Sequence, residues 1–349
     1  MRGDRMDYKE KINIYVSAEL KAQIQNDAMY FEIFKNNHRE INNNRFLSLF
    51  LCGYYDRYTL ENYNSHQAII DVLKDHDLSE AEQFEVADRI LKKIAIPTDE
   101  EFQSKKSVAI SLKPTSETHR ILNSIENVLG GRDTKSQYIR RMLISYFQKA
   151  MWQREQIIFN ENYQCILESC KTGKPLSFSY IWEKNTLHKV TPYKVVSGTD
   201  GMFNYLICIE TNPRSGNQEV RSYRLNRIDM VSIGYASQTV SKELKMLCEK
   251  TIATAPQYAI NTNVEICVKL NDDGEKLYNR IYFGRPKYSR VEDKDDGHYY
   301  YFECSEEQVL HYFRRFDNGK ALVLTPDRLV QRMSDFYHTA AKAYEKGEK

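Results

Sequence analysis

Two six-residue stretches, Lys11-Ile-Asn-Ile-Tyr-Val16 and Ser107-Val-Ala-Ile-Ser-Leu112, alternate strictly between polar and apolar residues, and each is followed by two helical patterns. Alternation at period two predicts a strand with one buried face. In the first copy Ser17 caps a helix with Ala18, Leu20, Ile24, Met29 and Phe31 at its apolar positions. After the polar break Asn36-Asn-His-Arg-Glu40, a second helix begins near Asn42–Asn44 with Phe46, Leu47, Phe50, Leu51 and Tyr54 inward. In the second copy Lys113-Pro-Thr-Ser-Glu117 opens a helix carrying Ile121, Leu122, Ile125, Val128 and Leu129, and Gly130-Gly131 ends it. Thr134-Lys-Ser-Gln137 starts the next, with Tyr138, Ile139, Met142, Leu143, Tyr146 and Phe147 as its apolar stripe. A strand and two helices cannot bury these faces alone, so the copies must pair.

This order resembles the ribbon-helix-helix family, in which two such units share one two-stranded antiparallel ribbon. The second copy carries the resemblance best, through Gly131-Arg-Asp-Thr-Lys-Ser-Gln-Tyr-Ile-Arg-Arg141; the first opens its second helix with three asparagines and lacks the paired arginines. The resemblance implies an intramolecular pseudo-dimer. In that family outward strand residues read the DNA major groove and the start of the second helix holds phosphates. The matching positions are Lys11, Asn13, Tyr15, Ser107 and Ser111, together with Lys113, Thr134, Lys135 and Arg140. The outward strand residues are poor bidentate donors to base edges. Between the copies, residues 60–102 read as an acidic insert of two amphipathic helices, one from His66 and one from Ser79. The second copy is basic, with Lys105, Lys106, Lys113, Arg120, Arg132, Lys135, Arg140 and Arg141.

From Trp152 a helix is predicted to run to Cys170, followed by five short strands: Leu176 to Trp182, His188 to Val196, Phe203 to Glu210, Gln218 to Leu225 and Ile228 to Tyr235. The stretch Arg221-Ser-Tyr-Arg-Leu-Asn-Arg-Ile228 concentrates three arginines. As a strand it sends Arg221, Tyr223, Leu225 and Arg227 one way and Ser222, Arg224 and Asn226 the other. It is either an edge strand blunted by charge or a cationic patch aimed at phosphates or carboxylates.

Thr191-Pro-Tyr-Lys-Val195, Phe203-Asn-Tyr-Leu206 and the arginine-rich stretch resemble the WYL domain, with Asn204 at the signature tryptophan position. The resemblance implies an Sm-like five-stranded β-barrel. Tyrosines beside arginines suit single strands, by stacking and by charge contacts to the backbone. The candidates are Tyr193, Tyr205, Arg221, Tyr223, Arg224 and Arg227. The remaining pattern, strand, helix, hairpin around Asp295-Asp-Gly297, helix, strand and helix, is ferredoxin-like.

The expected fold is therefore multidomain α+β: a ribbon-helix-helix pseudo-dimer over 1–151, a barrel with a leading helix over 152–250, and a ferredoxin-like domain over 257–349. Lysines and arginines number 50 against 48 acidic residues, so overall charge selects no partner. The seven cysteines form no CxxC and the eight histidines are dispersed, which points to no metal and no cofactor. Asp293-Lys-Asp-Asp-Gly297 lacks the closing glutamate of a calcium loop and reads as a turn. P-loop, HExxH and GxSxG motifs are missing, so no enzymatic activity is expected. Without an apolar run long enough for a membrane span, the expectation is a soluble, cytoplasmic protein.

The whole arrangement resembles the WYL accessory proteins of type VI-D CRISPR systems. That resemblance implies a non-catalytic protein that binds single-stranded RNA and stimulates an RNA-guided effector ribonuclease, as a homodimer. The rival reading is a transcription regulator that binds duplex DNA through the ribbon and senses an anionic ligand in the barrel. A third is an interaction module built on the acidic insert.

Overall fold

The computed structural model describes residues 11–35, 40–104, 107–129, 133–181, 183, 186–236 and 239–345; for residues 92 and 95–104 only the backbone is described. Of the residues singled out above, Asn36, Asn37, His38, Arg39, Lys105, Lys106, Gly130, Gly131, Arg132 and Trp182 lie outside the described ones. The protein is mixed α+β, with antiparallel sheets, and divides into two compact units, Met1–Glu161 and Asn162–Lys349.

In the first unit β1 (Ile12–Ser17) and β2 (Ser107–Leu112) form a two-stranded antiparallel ribbon that pairs Asn13 with Ser111, Ile14 with Ile110 and Tyr15 with Ala109. Alternation sets its faces: Ile14, Val16, Ile110 and Leu112 are buried, while Asn13, Tyr15, Ser107, Ala109 and Ser111 are exposed. Behind the buried face lie α1 (Ala18–Tyr30), α2 (Asn43–Leu73), α4 (Ser116–Leu129) and α5 (Lys135–Phe147). The Ser17 hydroxyl accepts from the Leu20 N–H, and Thr134 with Gln137 forms a capping box. The copies are tied reciprocally. The Tyr15 N–H donates to Ser136 Oγ (2.9 Å) at the start of α5, and the Lys113 N–H donates to Asn44 Oδ1 (2.6 Å) at the start of α2.

The insert departs from expectation at its start. α2 is a single helix of 31 residues that runs through residue 60 without a break, and α3 (Glu80–Ser104) follows it. Nothing between Tyr54 and Leu73 punctuates a helix: the stretch contains neither glycine nor proline, and Arg57 pairs with Glu61 one turn on, at 3.0 Å. The helix expected from Trp152 to Cys170 is instead two, α6 (Met151–Ile158) and α7 (Asn160–Thr172), divided at Phe159. α6 lies so close to α2 that a Cβ on Gly53 would sit 1.8 Å from the Ile157 carbonyl oxygen. Only glycine permits that approach.

In the second unit β3 (Leu176–Tyr180), β4 (Leu187–Ser197), β5 (Asn204–Thr211), β6 (Gln218–Arg224) and β7 (Ile228–Ile233) form one antiparallel sheet in the order β6-β5-β4-β3-β7. The outermost strands β6 and β7 are joined by a single 3-10 turn, Leu225–Arg227. A link that short between opposite ends of the order requires the sheet to curl back on itself. α8 (Lys242–Thr254) covers it, packing Leu247 and Cys248 against Ile207, Ile209 and Val220. The free side of β6 is occupied at Val220, whose N–H donates to Asn261 Oδ1 (2.7 Å) and whose carbonyl accepts from Asn261 Nδ2 (3.0 Å).

The chain ends in β8 (Ile266–Leu270), α9 (Asp272–Arg280), β9 (Tyr288–Lys294), β10 (Gly297–Phe302), α10 (Glu306–Phe313), β11 (Ala321–Thr325) and α11 (Asp327–Glu345). Its sheet runs β11-β8-β10-β9, so in chain order fourth, first, third, second. Val268, Tyr300, Phe302 and Val323 from one sheet face join Tyr278, Val309, Phe313, Leu329 and Met333 from the helices in one apolar core.

Candidate functional site

The arginine-rich stretch does not continue as a strand. β6 ends at Arg224, and the 3-10 turn buries Leu225 and Asn226. Arg221 and Arg227 therefore do not share a strand face, since the alternation that would align them stops between them. Inside the curl, Tyr223 packs edge-on against Phe178 (5.1 Å between ring centroids) and Tyr180 (5.2 Å), beside His188 (5.0 Å). Its hydroxyl donates to Glu210 Oε2 (2.5 Å) and lies 3.0 Å from His188 Nδ1, which in turn lies 2.9 Å from Glu210 Oε1. Burial, and then the hydrogen bond to Glu210, push the Tyr223 phenol far above its ordinary range. With its ring enclosed and its hydroxyl bound, Tyr223 organises the site and presents no open ring face for a base.

Arg221 borders the same network. Its Nη2 lies 2.9 Å from Glu219 Oε2 and its Nε 3.9 Å from Glu210 Oε2, and its side chain is 42% exposed. Together with the exposed Lys189 and the buried Thr191 it lines an open groove of about 1200 Å³. The other barrel candidates lie elsewhere. The Tyr193 hydroxyl donates to Glu249 of α8 (2.5 Å), a bond that, with burial, pushes the phenol up to about 12. Tyr205 packs against the apolar cluster beneath α8, and the Arg224 guanidinium lies 3.2 Å above the Phe203 ring. Arg227 sits in the 3-10 turn. His188 and Glu210 escaped the sequence reading; their one local signal is His188 standing in phase with the buried Val190 on β4.

On the ribbon, Asn13, Tyr15, Ser107 and Ser111 face outward as expected, and Lys11 and Lys113 are exposed at its ends. The Ser111 hydroxyl donates across the strands to Asn13 Oδ1 (2.8 Å). The start of α5 is largely committed to its own neighbours. Thr134 is held in the capping box, Lys135 lies 2.7 Å from Glu126, and Arg140 is buried with its Nη1 donating to the Tyr15 carbonyl (3.3 Å). Arg140 thus clamps β1 from within.

Among the described residues no group of three or more His, Cys, Asp or Glu side chains could hold a metal ion, and no helix is long and apolar enough to cross a membrane. No protein-family model and no curated protein matches the sequence. Among solved structures, the chain is similar to a proteasome accessory factor B/C (PafBC) of Arthrobacter aurescens over 64% of this chain and 35% of that one, at 15% identity. The TM-score there is 0.26, too low to support an argument. It is also similar to a CRISPR Cas-related protein, with a TM-score of 0.65 at 19% identity, over 97% of this chain and 95% of that one. From end to end, the chain shares the fold of that CRISPR Cas-related protein.

Proposed function

We propose that this is a non-catalytic accessory protein of a type VI-D CRISPR system, which binds single-stranded RNA and stimulates the RNA-guided ribonuclease while acting as a cytoplasmic homodimer. The observation that carries the reading is the end-to-end likeness in fold to a CRISPR Cas-related protein. The finer architecture fits it. A reciprocally tied ribbon with paired helices supports a ribbon-helix-helix pseudo-dimer over 1–151. Five strands closed by a 3-10 link support an Sm-like WYL barrel within 152–250, and the order fourth, first, third, second supports a ferredoxin-like domain over 257–349. RNA phosphates would meet Arg221 and Lys189 at the groove rim, where Glu219 lies 2.9 Å from the Arg221 guanidinium and Glu210, bound to His188 and Tyr223, lies 3.9 Å from it.

The outward exposure of Asn13, Tyr15, Ser107 and Ser111, with Lys11 and Lys113 exposed at the ribbon's ends, favours a second reading, a regulator that binds duplex DNA there. Affinities for single-stranded RNA and duplex DNA at two salt concentrations, in wild type and in Arg221→Ala with Arg224→Ala, separate the two. The accessory reading expects RNA to bind more tightly than duplex, the double variant to lose RNA binding, and added protein to raise the turnover of the effector. RNA affinity unchanged by the substitutions, alongside tight duplex binding, would favour the regulator.

A further inference from the structure

The face of the four-stranded sheet opposite its helices carries none of the barrel residues named above, and a role for it rests on the single-stranded RNA binding proposed there. β10 places two tyrosines there in succession, Tyr299 between Lys269 and Glu292, and Tyr301 between Cys267 and Arg290. Both rings already carry a cation. The Arg290 guanidinium lies 3.4 Å above the Tyr301 centroid, and the Lys294 ammonium lies 4.1 Å above Tyr299, with Lys269 at 5.7 Å.

The acidic residues explain the geometry of Arg290. Its edges are held by Glu265 (Nη2 to Oε2, 2.9 Å) and by Glu292, so the guanidinium is kept over the ring, while the side chain remains 46% exposed. A guanidinium pinned in this way offers its outer plane as a stacking surface. Three cations, Lys269, Arg290 and Lys294, and three carboxylates, Glu265, Glu292 and Asp296, share this face and its rim: Lys269 lies 2.5 Å from Asp296, Arg290 2.9 Å from Glu265 and Lys294 3.7 Å from Glu292. Two residues of strand separate the rings by about 6.8 Å, leaving room for one planar group above each. Leu322 is the large aliphatic side chain exposed here, so a protein partner would find little apolar surface to bury.

We propose that this sheet face is a second binding surface for single-stranded nucleic acid, holding two or three nucleotides by stacking bases on the Tyr301–Arg290 and Tyr299–Lys294 pairs, with Lys294, 3.7 Å from Glu292, toward the phosphates. Four-stranded sheets with strand-borne aromatics recognise unpaired bases in this manner.

The test uses the full chain and a 12-nucleotide oligouridylate carrying 4-thiouridine, crosslinked by near-ultraviolet light and mapped by mass spectrometry. The expected result is a crosslinked peptide spanning Gly297 to Phe302. Tyr299→Leu with Tyr301→Leu should lose it and weaken binding roughly ten- to a hundredfold, whereas Tyr299→Phe with Tyr301→Phe, which keeps both rings, should bind as wild type. Should the leucine variant fail to fold, Arg290→Ala at the surface reads the same site and should weaken binding about fivefold or more. Crosslinks confined to residues 176–233 overturn the sheet-face site and leave the barrel reading standing, and crosslinks confined to β10 do the reverse. A folded leucine variant that binds as tightly as wild type, or a wild-type chain that gives no crosslink, also overturns it.

Discussion

Arg154 grips Asp27 with two nitrogens, Nε to Oδ2 at 2.8 Å and Nη2 to Oδ1 at 2.9 Å, and Tyr146 donates its hydroxyl to the same carboxylate at 2.9 Å. One buried acid thereby joins α1, α5 and α6. Arg154→Ala strands the Asp27 charge in the interior and is expected to cost about 3–5 kcal/mol, as the drop in unfolding free energy in urea. Asp27→Asn with Arg154→Met removes both charges and should recover much of that loss.

Gly53→Ala tests the contact between α2 and α6. A methyl group there would overlap the Ile157 carbonyl oxygen at 1.8 Å, so the helices must separate. The expected loss is about 1–3 kcal/mol or more, seen as a lower melting temperature with retained helicity.

Stability should fall at alkaline pH. Burial raises the phenols of Tyr54, Tyr146, Tyr223 and Tyr278 above their ordinary value. The folded state therefore keeps protons that the unfolded chain releases, so the contribution is complete below about pH 10 and declines as pH rises beyond it. Ultraviolet titration should show a fraction of tyrosines ionising only on unfolding. If all 25 tyrosines ionise together near pH 10 while the fold persists, the prediction fails.

Tyr223→Phe removes the hydroxyl that joins Glu210 and His188 without changing the ring packing. Leaving those buried groups short of a partner should cost about 1–3 kcal/mol. If Arg221 contacts RNA only when the network positions it, RNA affinity should fall as well; equal affinity in a folded Tyr223→Phe variant would show that Arg221 needs no such support.

Thr134→Ala removes the capping box at the start of α5 and should lower stability by about 1 kcal/mol. Ser136→Ala, which cuts the link to the Tyr15 N–H, should speed hydrogen exchange along β1 more than elsewhere in the unit.

Local pattern was enough to place the ribbon strands, their inward residues and the caps at Ser17 and Thr134, because alternation and capping are properties of short stretches. The continuity of α2 was not legible, since amphipathic phase shifts along a helix mimic separate helices when nothing marks a break. The division at Phe159 reflects packing, including the edge contact of its ring with Phe31 at 6.1 Å. Alternation misled at Arg224 because it assumes a strand that goes on. The enclosure of Tyr223 by Phe178, Tyr180 and His188, and the burial of Arg140 under β1, depend on residues distant in sequence, which no local spacing can reveal.

The reciprocal tie of the ribbon also sets a timetable for synthesis. Ile12, Ile14 and Val16 leave the ribosome about 95 residues before Leu112, the strand that covers their edge and completes their buried face. At a translation rate of about 5–20 residues per second that interval is roughly 5–20 s. For that time the nascent chain displays an unpaired apolar strand, the kind of segment that chaperones bind and neighbouring polysomes can mispair. The emerging α1 and α2 are its first shelter, and slowing elongation between residues 60 and 104 should raise the aggregated fraction more than slowing it after residue 150.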